Sequence, residues 1–345
     1  ICLEGLIRLN LRLNILNMES PLSFLDTIIS QNRKTTRTEV KLNTISAFID
    51  WDALHAEVNQ LFPVSKLGGR PAEDLLVKTK MLFIQHLYNF SDPELEDQMN
   101  DRLSFQRFCG ISMSETIIDF TTFWRFKGRV AEAKLADRIF EQVCQRLEQE
   151  GLVLKKGTAI DATVVPSTNR PLSKAKRAEL AERPSCQIDT DASSTAKGGR
   201  KFFGYKGHIG MDAGSRLIRK KAFTTASPHD SQTKHELFSG DEQAVFADSA
   251  YSNRAEKRIC RKLGIYYGVL DKGTRRRKLS KSQKKRNRQK SSVRSAVEHP
   301  FAYLKSKLGY GCARAKNIVR NELAFTMNCV IYNIMRGSYL LKKAN

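Results

Sequence analysis

Three carboxylates in the second half of the chain stand where they could do chemistry: Asp161, Asp248 and Glu298. Asp161 lies inside a β-branched run, Thr158-Ala159-Ile160-Asp161-Ala162-Thr163-Val164-Val165, which ends at Pro166 and reads as a strand. An acid inside such a run is unusual. Asp248 closes a second short apolar strand, Ala244-Val245-Phe246-Ala247-Asp248. Glu298 sits in the stretch from Val293 to Lys305, between two bases. At helical spacing Arg294, Glu298 and Lys305 fall within about 40° of one another. Val297, Phe301 and Leu304 make an apolar stripe beside them. Pro300 has no N–H, so it kinks that helix or marks its first turn. Three acids converging at a sheet edge do not easily stay ionised together without a cation, and hard divalent ions prefer oxygen ligands. Two ions about 4 Å apart would activate an attacking oxygen and stabilise the leaving oxygen of a phosphodiester. Arg294 and Lys305 would then hold phosphate oxygens. Each acid also has a plainer reading: a strand-end or capping group for Asp161, an N-cap for Asp248, a surface charge ladder for Glu298. The order of the elements and the charge of the whole chain favour the metal site.

That charge is strongly positive. Among 345 residues, Lys and Arg number 59 against 36 Asp and Glu, a formal net charge of +23. Such a surplus points to a polyanionic partner, nucleic acid before an anionic membrane surface. No apolar run reaches the ~18 residues of a membrane span. The seven cysteines are scattered, with no CxxC and no Cys/His pair at zinc spacing. This argues against a disulfide scaffold and a zinc finger, and makes a reducing cytoplasm the default. Residues 1–17 mix leucines with arginines, which interrupt the apolar core a signal peptide needs. They are expected to precede a natural start at Met18.

The elements that must position the acids follow from periodicity. Residues 1–43 read as a lead-in, 44–150 as an all-α domain, and 151–345 as an α/β catalytic domain. The helical part predicts an amphipathic helix from Thr44 to Leu61 and another opened by Gly69-Arg70-Pro71-Ala72-Glu73-Asp74 and running to Phe90. Further helices follow over Ser91–Asn100, Leu103–Cys109, Ser114–Val130 and Ala131–Gln149. Such an array is either a helix-turn-helix DNA module or a generic bundle. After Gly151 the pattern turns to strands. A polar loop over residues 167–200 is expected to lie across substrate. Tyr205–Asp212 and Arg216–Thr225 make a hairpin. The strand ending in Asp248, a helix over Asn253–Leu263 and a strand over Ile265–Leu270 come next. Residues 272–290 are the most basic stretch, with Arg275, Arg276, Arg277, Lys278, Lys284, Lys285, Arg286 and Arg288. They predict a mobile solvated segment that clamps phosphates when nucleic acid is present. Val319–Leu341 is an apolar helix suited to packing on the sheet.

At these residues the chain resembles the DDE transposases of bacterial insertion sequences, in particular the insertion-sequence-five (IS-five) group. Gly157-Thr158-Ala159-Ile160-Asp161-Ala162-Thr163 resembles the strand of the first Asp. Phe246-Ala247-Asp248-Ser249-Ala250-Tyr251 resembles the second-Asp motif, and Arg294-x3-Glu298-x6-Lys305 matches the Arg-Glu-Lys signature around the third acid. Gly69-Arg70-Pro71, Phe108-Cys109-Gly110 and Asp119-Phe120-Thr121-Thr122-Phe123-Trp124-Arg125-Phe126 resemble the InsH-like N-terminal domain of that group. Tyr205-Lys206-Gly207-His208 and Pro228-His229-Asp230 are similar as well. The similarity runs from about Thr44 to Arg336. Two departures stand out: Ser249-Ala250 replaces the usual residue-Gly pair, and Ser291 stands where related groups have Tyr.

The resemblance implies an RNase H-like catalytic fold, a requirement for Mg²⁺ or Mn²⁺, and cut-and-paste transposition. Water first cleaves the strand at the transposon end, and the freed 3′-OH then attacks target DNA. Asp161, Asp248 and Glu298 are the implied metal ligands, with Arg294 and Lys305 on phosphates. The helical part is implied to bind the terminal inverted repeats of double-stranded DNA, as a homodimer pairing two ends at the bacterial nucleoid. His229 and Asp230 either support the pocket from behind or cap a turn, and His208 and Trp124 read as structural. Two other functions fit the same residues. One is a metal-dependent nuclease without strand transfer. The other is a decayed or domesticated DNA-binding protein without catalysis.

Overall fold

A computed structural model of the chain describes residues 34–62, 74–112, 115–183, 187–197, 199–273 and 278–344. The chain divides into two compact units between Val143 and Cys144.

The first unit is helical throughout its described residues. Where one helix is expected over Thr44–Leu61, two form: α1 (Arg37–Phe48) and α2 (Trp51–Leu61). Ile49 is extended, and Asp50 caps α2 by accepting the Ala53 N–H at 3.0 Å. An aspartate side chain competes for nearby backbone N–H groups, which sets the break there. α3 (Leu75–Tyr88) starts at its N-cap Asp74, later than the expected opening; Gly69-Arg70-Pro71 lie outside the described residues. α4 (Asp92–Asp101) opens with a capping box between Ser91 and Glu94, and α5 (Leu103–Cys109) has the expected bounds. α6 (Phe120–Glu132) begins at the N-cap Asp119, not at Ser114, and α7 (Leu135–Gln149) crosses the division between the units. Leu54, Phe83, Phe105 and Phe123 are buried, and Trp51 packs edge-on against Phe83 and Phe108. Trp124 is 50% exposed on α6.

The second unit is a mixed sheet with flanking helices. Its elements are β1 (Thr158–Pro166), α8 (Lys174–Glu182), β2 (Ser193–Lys197), β3 (Arg200–Asp212), β4 (Ile218–Thr225), β5 (Ala244–Phe246), α9 (Arg254–Lys262), β6 (Tyr266–Tyr267), α10 (Lys281–Arg294), α11 (Glu298–Ser306) and α12 (Ile318–Ala344). β1 is antiparallel to β3 and parallel to β5; β6 is parallel to β5, and β2 and β4 pair with different lengths of β3. β1 is buried along most of its length; β3 pairs with all of it and β5 with its first two residues. α12 packs on β4. Gly207 of β3 lets it come close, since a Cβ there would overlap the Phe325 ring.

Four expectations for this unit are corrected. Residues 167–200 are not simply a loop. Ser173 caps α8, and β2 pairs with β3 from Ser193↔Gly204 to Lys197↔Arg200. The buried Asp189 fastens the stretch by accepting from the Tyr205 hydroxyl at 2.7 Å and the Ser167 hydroxyl at 3.2 Å. Residues 281–290, expected to be mobile, are helical. A capping box between Ser280 and Gln283 starts α10, and Lys, Arg and Gln have good helix propensity. Lys290 then pins the helix inward by donating to the Val269 carbonyl at 2.8 Å. The stretch from Val293 to Lys305 is not one helix. A single 3₁₀ turn, Ser295–Val297, separates α10 from α11, and Pro300 lies in the first turn of α11, where a missing N–H costs little. The strand expected over Ile265–Leu270 is also shortened to Tyr266–Tyr267. Among the described residues no helix is long and apolar enough to cross a membrane.

Candidate active site

The two aspartates come together through strand register. β1 and β5 pair in parallel with Thr158↔Val245 and Ala159↔Phe246. Continued for two residues, that register sets Asp161 level with Asp248. Residues level on adjacent parallel strands project from the same face. Asp248 stands just beyond β5 and caps the 3₁₀ turn Ser249–Tyr251, accepting the Ser249 N–H at 2.6 Å. The capping role suggested by the sequence is therefore real, and it engages one carboxylate oxygen. No residue of that turn has a positive φ, so Ser249-Ala250 fits where the related pattern has glycine.

The basic helix supplies the next group. α10 packs against β1 and β5. Its last residue, Arg294, donates from Nη1 to Asp161 Oδ2 at 2.9 Å. Asp161 Oδ1 accepts the Ala162 N–H at 2.8 Å. Arg294 Nη2 lies 3.9 Å from Glu298 Oε1, so the guanidinium stands between the two acids. Its Nε is buried without an acceptor. The Glu298 side chain is 69% exposed. Lys305 is exposed in the last turn of α11. The 3₁₀ turn interrupts the single helix on which Arg294, Glu298 and Lys305 were expected to align, while Arg294 and Glu298 still face each other.

A residue with no role assigned from sequence lies within electrostatic reach of the site. Tyr251 is buried, and its hydroxyl has no hydrogen-bond partner. Burial raises its pKa first; Asp230, Asp161 and Asp248 raise it further, and Arg294 opposes them. One buried hydroxyl therefore feels all four charged groups. Tyr251 was visible at the end of the second-Asp motif, and its apolar surroundings were not.

Asp230 and His229 separate in space. Asp230 Oδ1 lies 2.8 Å from the ammonium of Lys206, a mostly buried lysine that also donates to the Pro228 carbonyl at 2.7 Å. His229 is exposed, with Nδ1 2.8 Å from the Ser231 hydroxyl, two residues on. His208 is buried between Thr224 and Thr233, at 3.0 and 3.2 Å. Burial pushes its pKa down to about 4, with Lys206 adding to the fall and Asp230 opposing it.

Of the expected phosphate contacts, Lys278, Lys284, Lys285, Arg286 and Arg288 are exposed. The last four lie on α10; Arg275, Arg276 and Arg277 lie outside the described residues. Among the described residues no three His, Cys, Asp or Glu side chains are grouped closely enough to hold a metal ion. The donors nonetheless suit a hard divalent ion in kind, because Asp161, Asp248 and Glu298 present only oxygen.

Comparison with known families gives two matches. A family described as a transposase domain (DUF772) matches residues 25–129, and one described as a transposase DDE domain matches residues 154–334. No solved structure matches the chain. The second match covers just over half of the chain and spans both strand aspartates, Arg294 and Glu298. The chain therefore belongs to the DDE transposase family, enzymes that act on DNA.

Proposed function

We propose that the chain is an insertion-sequence transposase of the insertion-sequence-five (IS-five) type. Its InsH-like helical part, over residues 44–150, would bind the terminal inverted repeats. Its part over residues 151–345 would cut and join DNA strands. The observation that carries this reading is the parallel register of β1 and β5, which continued for two residues sets Asp161 level with Asp248, with Arg294 reaching Asp161 from a basic helix.

In this reading Asp161, Asp248 and Glu298 hold Mg²⁺ or Mn²⁺, in two positions. The ions would supply activation of the attacking oxygen and offset charge on the leaving one. The chain's own residues do the rest. Arg294, with an unused buried Nε–H, binds a phosphate oxygen next to the carboxylates. Lys305 offers a second positive charge from α11, and Asp230 steadies Lys206 behind the site. His229 acts locally in its turn. The exposed bases of α10 hold the backbone leading to the scissile bond. Two copies, working at the nucleoid in a bacterial cytoplasm, would pair the two ends of one element.

The test uses a duplex carrying an inverted repeat from beside the gene, target DNA and Mg²⁺. A transposase gives strands cut at the repeat and joined to target. Cut ends without joined product would identify a nuclease. Salt-sensitive binding without cleavage would identify a non-catalytic DNA-binding protein.

A further inference from the structure

Besides α10, a concentration of charge among the described residues lies on α9. Its nine residues include five bases, Arg254, Lys257, Arg258, Arg261 and Lys262, and one acid, Glu256. At 100° per residue the five bases fall within an arc of about 140°. All five are exposed, and no residue of α9 is buried. None of the five forms an ion pair among the described residues. Glu256 turns inward to pair with the ammonium of Lys234, which is itself 2% exposed.

A contact and a charge interaction tie this surface to the site. Lys234 Nζ also donates to the Tyr251 carbonyl at 3.2 Å, so α9 is braced against the residue within electrostatic reach of the aspartates. Lys257 and Arg286 both bear on Lys290 and help to lower its pKa, after burial. Positive charge on α9 is therefore felt on α10. From these interactions we infer that α9 is a second grip on DNA, holding the phosphate backbone of a duplex beyond the stretch held by α10. This inference rests on DNA being the chain's partner, and on no particular reaction. Charge complementarity selects the occupant: five bases on one exposed arc match a polyanion, and they oppose a second copy of a chain with net charge +23. Ile259 and Leu263, 55% and 67% exposed, flank the arc as an apolar strip and are the feature a protein partner would use instead.

The experiment measures binding of the full chain to a fluorescent duplex of unrelated sequence, in chelator, from about 50 to 300 mM salt. Each phosphate contact contributes about 0.9 to the slope of log K against log salt. Arg258→Gln/Arg261→Gln/Lys262→Gln should lower the magnitude of that slope by about 2 to 3, and Lys262→Gln alone by about 1. Arg258→Lys/Arg261→Lys should leave it unchanged. An unchanged slope in the triple variant, with thermal unfolding as in the wild type, overturns the inference. If the triple variant fails to fold, Lys262→Gln decides alone, and an unchanged slope there overturns it equally. An unchanged slope together with a change of sedimenting mass in Ile259→Asp/Leu263→Asp would assign the surface to a protein partner. The duplex carries no inverted repeat and the buffer no free metal, so failure of the transposase reading leaves these outcomes untouched.

Discussion

Arg294 and Asp161 are 133 residues apart in sequence and meet at 2.9 Å. The arginine ends α10 and the aspartate sits within β1, so this bond joins the basic helix to the sheet. Both side chains are about one-fifth exposed. The same guanidinium lies 3.9 Å from Glu298. It thus bridges two acids that the proposed chemistry needs at one place.

The first prediction concerns that bond. Arg294→Ala leaves the Asp161 carboxylate without its charged donor and should destabilise the second unit by about 1–3 kcal/mol. Arg294→Lys keeps the charge and loses the planar fork, so it should recover stability and still lower strand cleavage. Urea unfolding and cleavage assays on the two variants separate these effects.

Packing between β3 and α12 gives a second prediction. Gly207→Ala places a methyl group in the Phe325 ring. It should cost about 1–3 kcal/mol by overpacking. Gly207→Ala/Phe325→Leu should recover part of that loss, read as the thermal midpoint.

His208 sets a pH dependence. Its folded pKa, about 4, lies below the ordinary value of 6.5, so the unfolded chain binds the extra proton first. Stability associated with neutral His208 is therefore complete above about pH 6.5 and falls as pH drops toward 4. The loss across that window is on the order of 3 kcal/mol. His208→Gln should flatten the dependence over the same range, measured by unfolding at several pH values. His86, half-buried in the first unit with its pKa pushed down to about 3 by desolvation, should add a similar slope that Gln at 208 leaves in place.

The α10 surface gives a fourth prediction. Lys284→Ala/Lys285→Ala/Arg288→Ala keeps helix propensity and removes three exposed charges. Thermal stability should hold, and the salt slope of DNA binding should fall by about 2 to 3.

Much of the fold was legible because local pattern and tertiary role agree. The β-branched run Thr158–Val165 forms a mostly buried strand, and Leu103–Cys109 is closed by Gly110 in a left-handed conformation. α8 and β2 were not legible, because what orders them is distant: Asp189 is fastened by Tyr205 and Ser167. α10 carries almost no apolar periodicity, so its helix was hidden in its charge, although Ser280 and Gln283 formed a readable capping box. The acids were legible by order and spacing. The level register of Asp161 and Asp248 was not, because it depends on how β5 pairs with β1. Nor was Tyr251, whose part depends on burial.

The most direct measurement is cleavage and strand joining at a duplex carrying the element's own inverted repeat, with Mg²⁺ or Mn²⁺. Wild type is compared with Asp161→Asn, Asp248→Asn and Glu298→Gln, alongside metal-free binding. Each substitution should lower strand chemistry by about 100-fold or more, the scale for removing one group that stabilises transition-state charge. Binding of the repeat should stay close to wild type, and chelation of the metal should have the same effect as the substitutions. Strand joining near the wild-type rate in any of the three variants would contradict the assignment.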